Sequence, residues 1–193
     1  MLLAPWRSPL QRALHRNRSQ PHSRYLQLAT VTPKGKPANR SVVFRGFLAD
    51  TNSIQIVTDT RSQKFTHLQH HPWAEICWYF TKTREQFRLS GKVTLVTGEN
   101  PAPELFKARQ NCWDNLSDAA KKQFFWATPG QPVRDDQPHL EINITEIEPS
   151  ANFCLLLLNP EKVEHLELKG EPQNRYLYLL DYDQTWSIKQ INP

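Results

Sequence analysis

Polar and apolar residues alternate along several short stretches of the chain, and each such stretch predicts a strand. Ser53 to Thr58 reads Ser-Ile-Gln-Ile-Val-Thr, the period of a half-buried strand. Tyr25 to Val31 and Ala38 to Phe47 read as strands on either side of the turn Thr32-Pro33-Lys34-Gly35-Lys36. Further strands are predicted over Trp73 to Phe80, Gln86 to Thr97, Ala151 to Leu158, Lys162 to Leu168, Tyr176 to Leu180 and Thr185 to Ile191. Helical spacing appears in Pro9 to Asn17, where Leu10, Ala13 and Leu14 share a face, Ser8 suits the cap and Pro9 the first turn. It returns in Ser62 to His70, with Phe65 and Leu68 on one side, Ser62 as N-cap and Pro72 as terminator. Glu104 to Asn111 and Ser117 to Phe125 carry helix formers, and the polar, Pro-containing Gln131 to Leu140 predicts an exposed loop. Consecutive strands with helices inserted between them predict a mainly β fold, an antiparallel barrel with peripheral helices. A doubly wound sheet would need regular strand–helix alternation, which the first half of the chain lacks.

The length of 193 residues fits one domain, with an N-terminal helix and loop over 1–23 and a helical and loop insertion over 101–148. The longest apolar run, Phe153 to Leu158, is far shorter than the ~20 residues of a membrane-spanning helix. Arg7, Arg12, Arg16 and Arg18 stand where a signal peptide would stay apolar, so a cytoplasmic protein is expected. Cys77, Cys112 and Cys154 are widely separated and match no zinc-ligand spacing, which predicts buried reduced thiols. The net charge of +5 admits a nucleic-acid partner, but the basic residues are scattered, and a phosphorylated small molecule suits the same excess. Adjacent His70 and His71 point apart on a helix and bring no third ligand, so no metal is expected. Trp73, Trp78 and Tyr79 lie in an apolar β-rich stretch and are assigned to the core.

Three segments concentrate the candidate chemistry. Arg40-Ser41-Val42-Val43-Phe44-Arg45 brackets an apolar strand with two cations, and Glu85-Gln86-Phe87-Arg88-Leu89-Ser90-Gly91-Lys92 is a polar–apolar strand. Between them, Thr58-Asp59-Thr60-Arg61-Ser62-Gln63-Lys64 opens a helix directly after a strand. A helix start offers unpaired N–H groups to an anion; hydroxyls of Thr58 and Ser62, and cations of Arg61, Lys64 and Arg40, would complete a phosphate cradle. The same residues also suit an ordinary capped, solvated helix start. No GxGxxG or Walker loop is present, so side chains would have to hold any phosphate.

In order and spacing these segments resemble the FMN-binding signature of the pyridoxamine 5'-phosphate oxidase family, whose fold is a split β-barrel. Arg40 to Arg45 resembles the family's Arg-x-Val-x-x-Lys strand, and Thr58 to Lys64 its Thr-x-x-x-Ser-x-Lys turn. Gln86 before Gly91-Lys92, and Asn174-Arg175-Tyr176-Leu177-Tyr178 before Trp186-Ser187-Ile188, match two further motifs. The resemblance runs from about residue 24 to 193. It implies an FMN-binding split barrel and an FMN-dependent oxidoreductase, active as a homodimer with the flavin at the interface. It places Arg40, Thr58, Arg61, Ser62 and Lys64, with the adjoining Val57 and Gln63, around the FMN phosphate. The backbone of Ser41, Val42, Val43 and Phe44 would lie along the isoalloxazine, with Gln86 at its polar edge and Arg175 reaching it from the partner. Arg45 would touch both the flavin and the substrate, and Arg109 would meet the substrate. Departures from the pattern fall on the pyridoxal-phosphate side: Arg45 stands for lysine, Glu171-Pro172-Gln173 for Arg-x-His, Leu166 for tryptophan and Leu105 for tyrosine. Where an anion should meet arginine it would meet Glu171, which opposes pyridoxine-phosphate oxidation. The alternatives are a non-catalytic flavin- or haem-binding split barrel and a basic nucleic-acid-binding barrel.

Overall fold

The computed structural model describes residues 3–99, 102–133 and 148–193. Its strands are β1 (Tyr25–Val31), β2 (Pro37–Val43), β3 (Gly46–Phe47), β4 (Ile54–Asp59), β5 (Trp73–Phe80), β6 (Glu85–Val96), β7 (Phe153–Glu167), β8 (Asn174–Leu180) and β9 (Trp186–Ile191). The helices are α1 (Arg7–Asn17), α2 (Gln63–His70), α3 (Pro103–Asp114) and α4 (Asp118–Lys122), with 3-10 turns at Pro21–Arg24 and Gln123–Phe125. Every strand pairing is antiparallel, in the order β2-β1-β5-β6-β7-β4-β3. The hairpin of β8 and β9 is attached to β7.

β7 organises this sheet. β6 runs along its whole length on one side, while on the other side β4 pairs with Phe153 to Leu158 and β8 with Lys162 to Glu167. The change of partner occurs at a bulge, where the register shifts between Ser90 and Gly91 opposite Pro160. The continuous apolar run at the start of β7 is explained by burial on both faces. Cys154, Leu156 and Leu158 point into the barrel with Ile54, Ile56 and Leu89. Phe153, Leu155 and Leu157 meet Ala108 and Trp113 of α3, together with Phe124. Fully burying one such leucine contributes roughly 1.5–3 kcal/mol. α1 packs Leu10 and Ala13, with the preceding Trp6, into the same barrel core.

Several sequence expectations change. The two strands Ala151 to Leu158 and Lys162 to Leu168 are one bulged strand, because Pro160 occupies the irregularity instead of ending the pairing. The strand Ala38 to Phe47 is broken at Phe44-Arg45, where the chain changes partner. The Phe44 N–H donates to Arg24 O (2.8 Å) and the Arg45 N–H to Gln55 O on β4 (2.9 Å). Ser117 to Phe125 divides into α4 and a 3-10 turn. Neither α1 nor α2 has a side-chain cap bond, so Ser8 and Ser62 do not act as capping hydroxyls. Of the aromatics assigned to the core, Trp78 is buried, whereas Trp73 and Tyr79 are 46% and 41% exposed on the opposite face of β5. Residues 134–140, most of the expected Pro-containing loop, lie outside the described residues.

Candidate functional site

The residues expected to hold a phosphate lie where β2, β4 and α2 meet. Thr58 is the penultimate residue of β4 and is buried, and its Oγ1 lies 2.9 Å from Ser62 Oγ. Lys64 Nζ donates to Thr58 Oγ1 at 2.9 Å and to Ser62 Oγ at 3.4 Å. Ser62 thus faces the lysine; Phe65 N–H donates to Ser62 O (3.0 Å), while the N–H groups of Gln63 and Lys64 have no partner among the described residues. Arg40 approaches from β2 and donates through Nη1 to Leu28 O (3.0 Å), Thr30 Oγ1 (2.7 Å) and Ala38 O (3.2 Å). Its Nε and Nη2 have no acceptor among the described residues. Burial lowers the Lys64 pKa, and the neighbouring Arg40 charge lowers it further. Burial also lowers that of Arg40. Two partly desolvated cations that repel one another, two hydroxyls and a free helix start form a set of donors that a dianion would satisfy. The residues present therefore fit an FMN phosphate.

The remaining predicted residues are distributed unevenly. Arg61 does not join the grip. Its guanidinium is bidentate on Asp59 (2.9 and 2.6 Å) and also donates to Trp126 O and Phe124 O, and the Asp59 hydrogen bond raises its pKa. Arg109 is 3% exposed and donates to Ser150 O (2.8 Å) and Phe153 O (3.1 and 3.0 Å), so it anchors α3 to the start of β7 and is not offered to a substrate. Val57 packs toward the second core and Gln63 is exposed on the first turn of α2. Val42 and Phe44 point into the barrel, whereas Ser41 and Val43 face outward. β2 is an edge strand, and one row of its backbone groups has no partner in the sheet.

Gln86 and Arg175 belong to a different surface. The registers Tyr79↔Gln86, Gln86↔Leu166 and Leu166↔Arg175 set these four residues in one row across β5 to β8, on the face turned away from the barrel core. Arg175 is bonded to Glu164, to which Lys162 also donates (2.8 Å). Burial alone would raise the Glu164 carboxyl; the bonds from Arg175 and Lys162 and the nearby Arg88 charge overcome this and hold it at about 2. Because this value is depressed from an ordinary 4.5, the linked stability is present above pH 4.5 and is lost as pH falls toward about 2. That linkage is on the order of 3 kcal/mol. Urea unfolding at pH 7 and pH 3 is expected to show a smaller loss for Glu164→Gln than for wild type; equal losses would contradict it.

Arg45 lines a separate cleft of about 380 Å³ with Arg24, Gln55, Asn111, Cys112 and Asn115. Neither arginine side chain has a hydrogen bond or ion pair among the described residues. Burial pushes the Cys112 thiol up to about 11, with the Arg45 charge opposing it. Two clefts beside the β8–β9 hairpin, one lined by Asn52 and Trp186 and the other by Asp181 and Tyr182, contain no cationic side chain.

Sequence reasoning passed over three features: Arg24, the buried pair Thr30 and His67 behind Arg40, and the group Glu85, His165 and Glu167. The ligand atoms of that group lie within 4.8 Å of one another. His165 Nε2 is bonded to Glu85 Oε2 (2.9 Å), its ring stacks on Phe87, and Asn174 donates to Glu167 (3.1 Å), so the group is a hydrogen-bonded tie between β6, β7 and β8. The register Glu85↔Glu167 was the missing information.

An antiparallel split barrel with such a cationic corner defines the class of FMN-binding split-barrel folds, and comparison with known proteins agrees. The family model for the pyridoxamine 5'-phosphate oxidase FMN-binding domain matches residues 3–97. Pyridoxine/pyridoxamine 5'-phosphate oxidase 2 of Arabidopsis thaliana is 37% identical over 197 residues, covering 99% of this chain and 98% of that one. The crystal structure of a pyridoxamine 5'-phosphate oxidase-related, FMN-binding protein from Nostoc punctiforme PCC 73102 superposes with a TM-score of 0.96 at 55% identity, over 100% of both chains. PhzG from Burkholderia lata 383, solved in complex with tetrahydrophenazine-1-carboxylic acid, shares the fold at a TM-score of 0.76 and 18% identity, covering 98% and 93% of the two chains. The chain belongs to the pyridoxamine 5'-phosphate oxidase family.

Proposed function

We propose that the chain is an FMN-dependent oxidoreductase that works as a homodimer with the flavin at the interface, on a substrate other than pyridoxine 5'-phosphate. The observation that supports it most is Lys64 on the Thr58 and Ser62 hydroxyls with the Arg40 charge close by, and with no carboxylate bonded to either cation among the described residues. FMN, when bound, supplies the two-electron redox chemistry. Arg40, Lys64, Thr58, Ser62 and the α2 N–H groups hold its phosphate, and the free edge of β2 from Ser41 to Phe44 offers backbone groups to its ring system.

The argument for a dimer is geometric. Arg40 and Thr58 face the barrel side of their strands, whereas Gln86 and Arg175 lie on the opposite face and several strands away. One ligand cannot reach both sets within a single chain, but a second copy apposed by its open face brings them together. Tyr25, Trp73 and Tyr79, each exposed on that face, are the apolar surface such contact would cover. Arg175, held by Glu164, would then be presented to the flavin of the other subunit.

The substrate would enter the Arg45 cleft. Arg109 is committed to backbone carbonyls, and Glu171 stands where the family's arginine would be, so the pyridoxal-phosphate contacts are not rebuilt. No helix of the described residues is long and apolar enough to cross a membrane. The three free thiols suit a reducing compartment, for which we propose the cytosol.

The visible spectrum of the purified protein, with mass analysis of the released chromophore, tests the cofactor. Oxidised-flavin absorbance and the mass of FMN are expected; a colourless protein or a Soret band of haem would overturn the reading. Light scattering is expected to give twice the chain mass, and a strictly monomeric FMN-loaded protein would refute the shared site.

A further inference from the structure

We infer that His67 is a positioning residue for the phosphate grip, fixing the guanidinium of Arg40 through the hydroxyl of Thr30. The inference rests on the reading that Arg40 and Lys64 hold the FMN phosphate, and it explains how two cations from different elements keep a set separation.

Lys64 and His67 are three residues apart on α2 and so share a helix face. Lys64 reaches the cradle directly. His67 turns toward β1, where it is 6% exposed and its Nδ1 lies 3.0 Å from Thr30 Oγ1; Thr30 is 2% exposed. The same oxygen accepts from Arg40 Nη1 at 2.7 Å, the shortest of that nitrogen's three bonds. The chain Arg40–Thr30–His67 therefore links β2, β1 and α2 behind the cradle.

Proton accounting fixes the state of the histidine. A hydroxyl has one proton; Thr30 Oγ1 accepts from Arg40, and His67 Nδ1 is the other partner of that oxygen among the described residues, so the arrangement that uses the proton sends it to Nδ1. Nδ1 is then unprotonated and the ring is neutral, with its proton on Nε2. A protonated Nδ1 would make Thr30 Oγ1 accept twice and strand the threonine proton in a site closed to water. It would also place a third positive charge beside Arg40 and Lys64. Burial, and then the Arg40 charge, both lower the His67 pKa, in the direction this arrangement requires. A histidine that merely filled the core would not need its side-chain hydrogen bond to end on the hydroxyl that also holds Arg40.

The test compares FMN with riboflavin, which lacks the phosphate, by flavin-fluorescence titration of the apoprotein. His67→Leu and Thr30→Val are each expected to weaken FMN about tenfold, the scale of one hydrogen bond to a charged group, while leaving riboflavin within about twofold. His67→Asn should restore most of the FMN affinity, because its amide oxygen can accept the Thr30 proton where Nδ1 did. Equal weakening of FMN and riboflavin, unchanged FMN affinity, or no difference between His67→Asn and His67→Leu would each overturn the assignment. Should the variants fail to fold, nitrogen-15 NMR of the wild-type ring decides: a pyridine-like Nδ1 and a pyrrole-like Nε2 are required, and the reverse tautomer excludes the relay. Loss of FMN from Arg40→Ala but not from His67→Leu would refute this inference alone. Retention of FMN by Arg40→Ala and Lys64→Ala would refute the underlying grip.

Discussion

Replacing Arg40 and Lys64 together by alanine is expected to weaken FMN binding by roughly 10²–10⁴-fold, two charge-assisted hydrogen bonds at about 1.5–3 kcal/mol each. The loss should be concentrated in the phosphate, so riboflavin affinity should change little. Lys64 donates to the buried Thr58 and Ser62 hydroxyls with the Arg40 charge close by, and neither cation has a carboxylate partner among the described residues, so no described group replaces them once removed. Arg61→Ala is the contrasting case. Its charge is already paired with Asp59 and its other donors bond to Trp126 O and Phe124 O, so FMN affinity should fall by less than about threefold. Fluorescence titration of the apoproteins checks both variants. FMN affinity surviving in the double variant, or an Arg61→Ala effect as large as that of the double variant, would show that the phosphate is held elsewhere.

The second large effect concerns the frame. Gly91→Ala is expected to destabilise the fold by at least about 3 kcal/mol, lowering Tm by on the order of 10 °C for a chain of this size. Gly91 sits at the bulge where β6 passes Pro160, and a Cβ there would lie 2.0 Å from Asn159 O and 2.8 Å from the Pro160 Cα. These are backbone atoms of the central strand and cannot rotate away; either the bulge opens or the β6–β7 ladder separates. Since Gln86 and the β7–β8 row follow the same register, their alignment should degrade as well. Differential scanning calorimetry measures the change, and a Tm within 2 °C of wild type would contradict the close approach.

Much of the fold was legible because burial in a barrel imposes alternation, and alternation survives in the sequence. Ser53 to Thr58 and Tyr25 to Val31 were readable for this reason, and Ala151 to Leu158 read as a strand although its burial on both faces appears only in the structure. Partner exchange was not legible. Phe44 and Arg45 continue the apolar rhythm of β2 while their N–H groups pass from the β1 side to β4, and no local preference marks that change. Pro160 misled in the opposite sense: a residue that usually ends a ladder sits in a bulge that needs no N–H from it.

In the candidate site, residue types were easier to read than their commitments. Thr58, Ser62 and Lys64 are close in sequence, so a turn at a helix start brings them together almost unaided. Arg61 and Arg109 had the right chemistry, but their acceptors at Phe124, Trp126, Ser150 and Phe153 lie more than forty residues away, and only the tertiary structure shows that both are occupied. Thr30 and His67, separated by 37 positions, escaped notice for the same reason.

The most direct measurement is the side-by-side titration of wild-type apoprotein with FMN and riboflavin at neutral pH. If the Arg40–Lys64 corner grips the phosphate, FMN should bind at least about 100-fold more tightly, the combined contribution of two charged contacts. Equal affinities for the two flavins would mean that these cations serve some other anion.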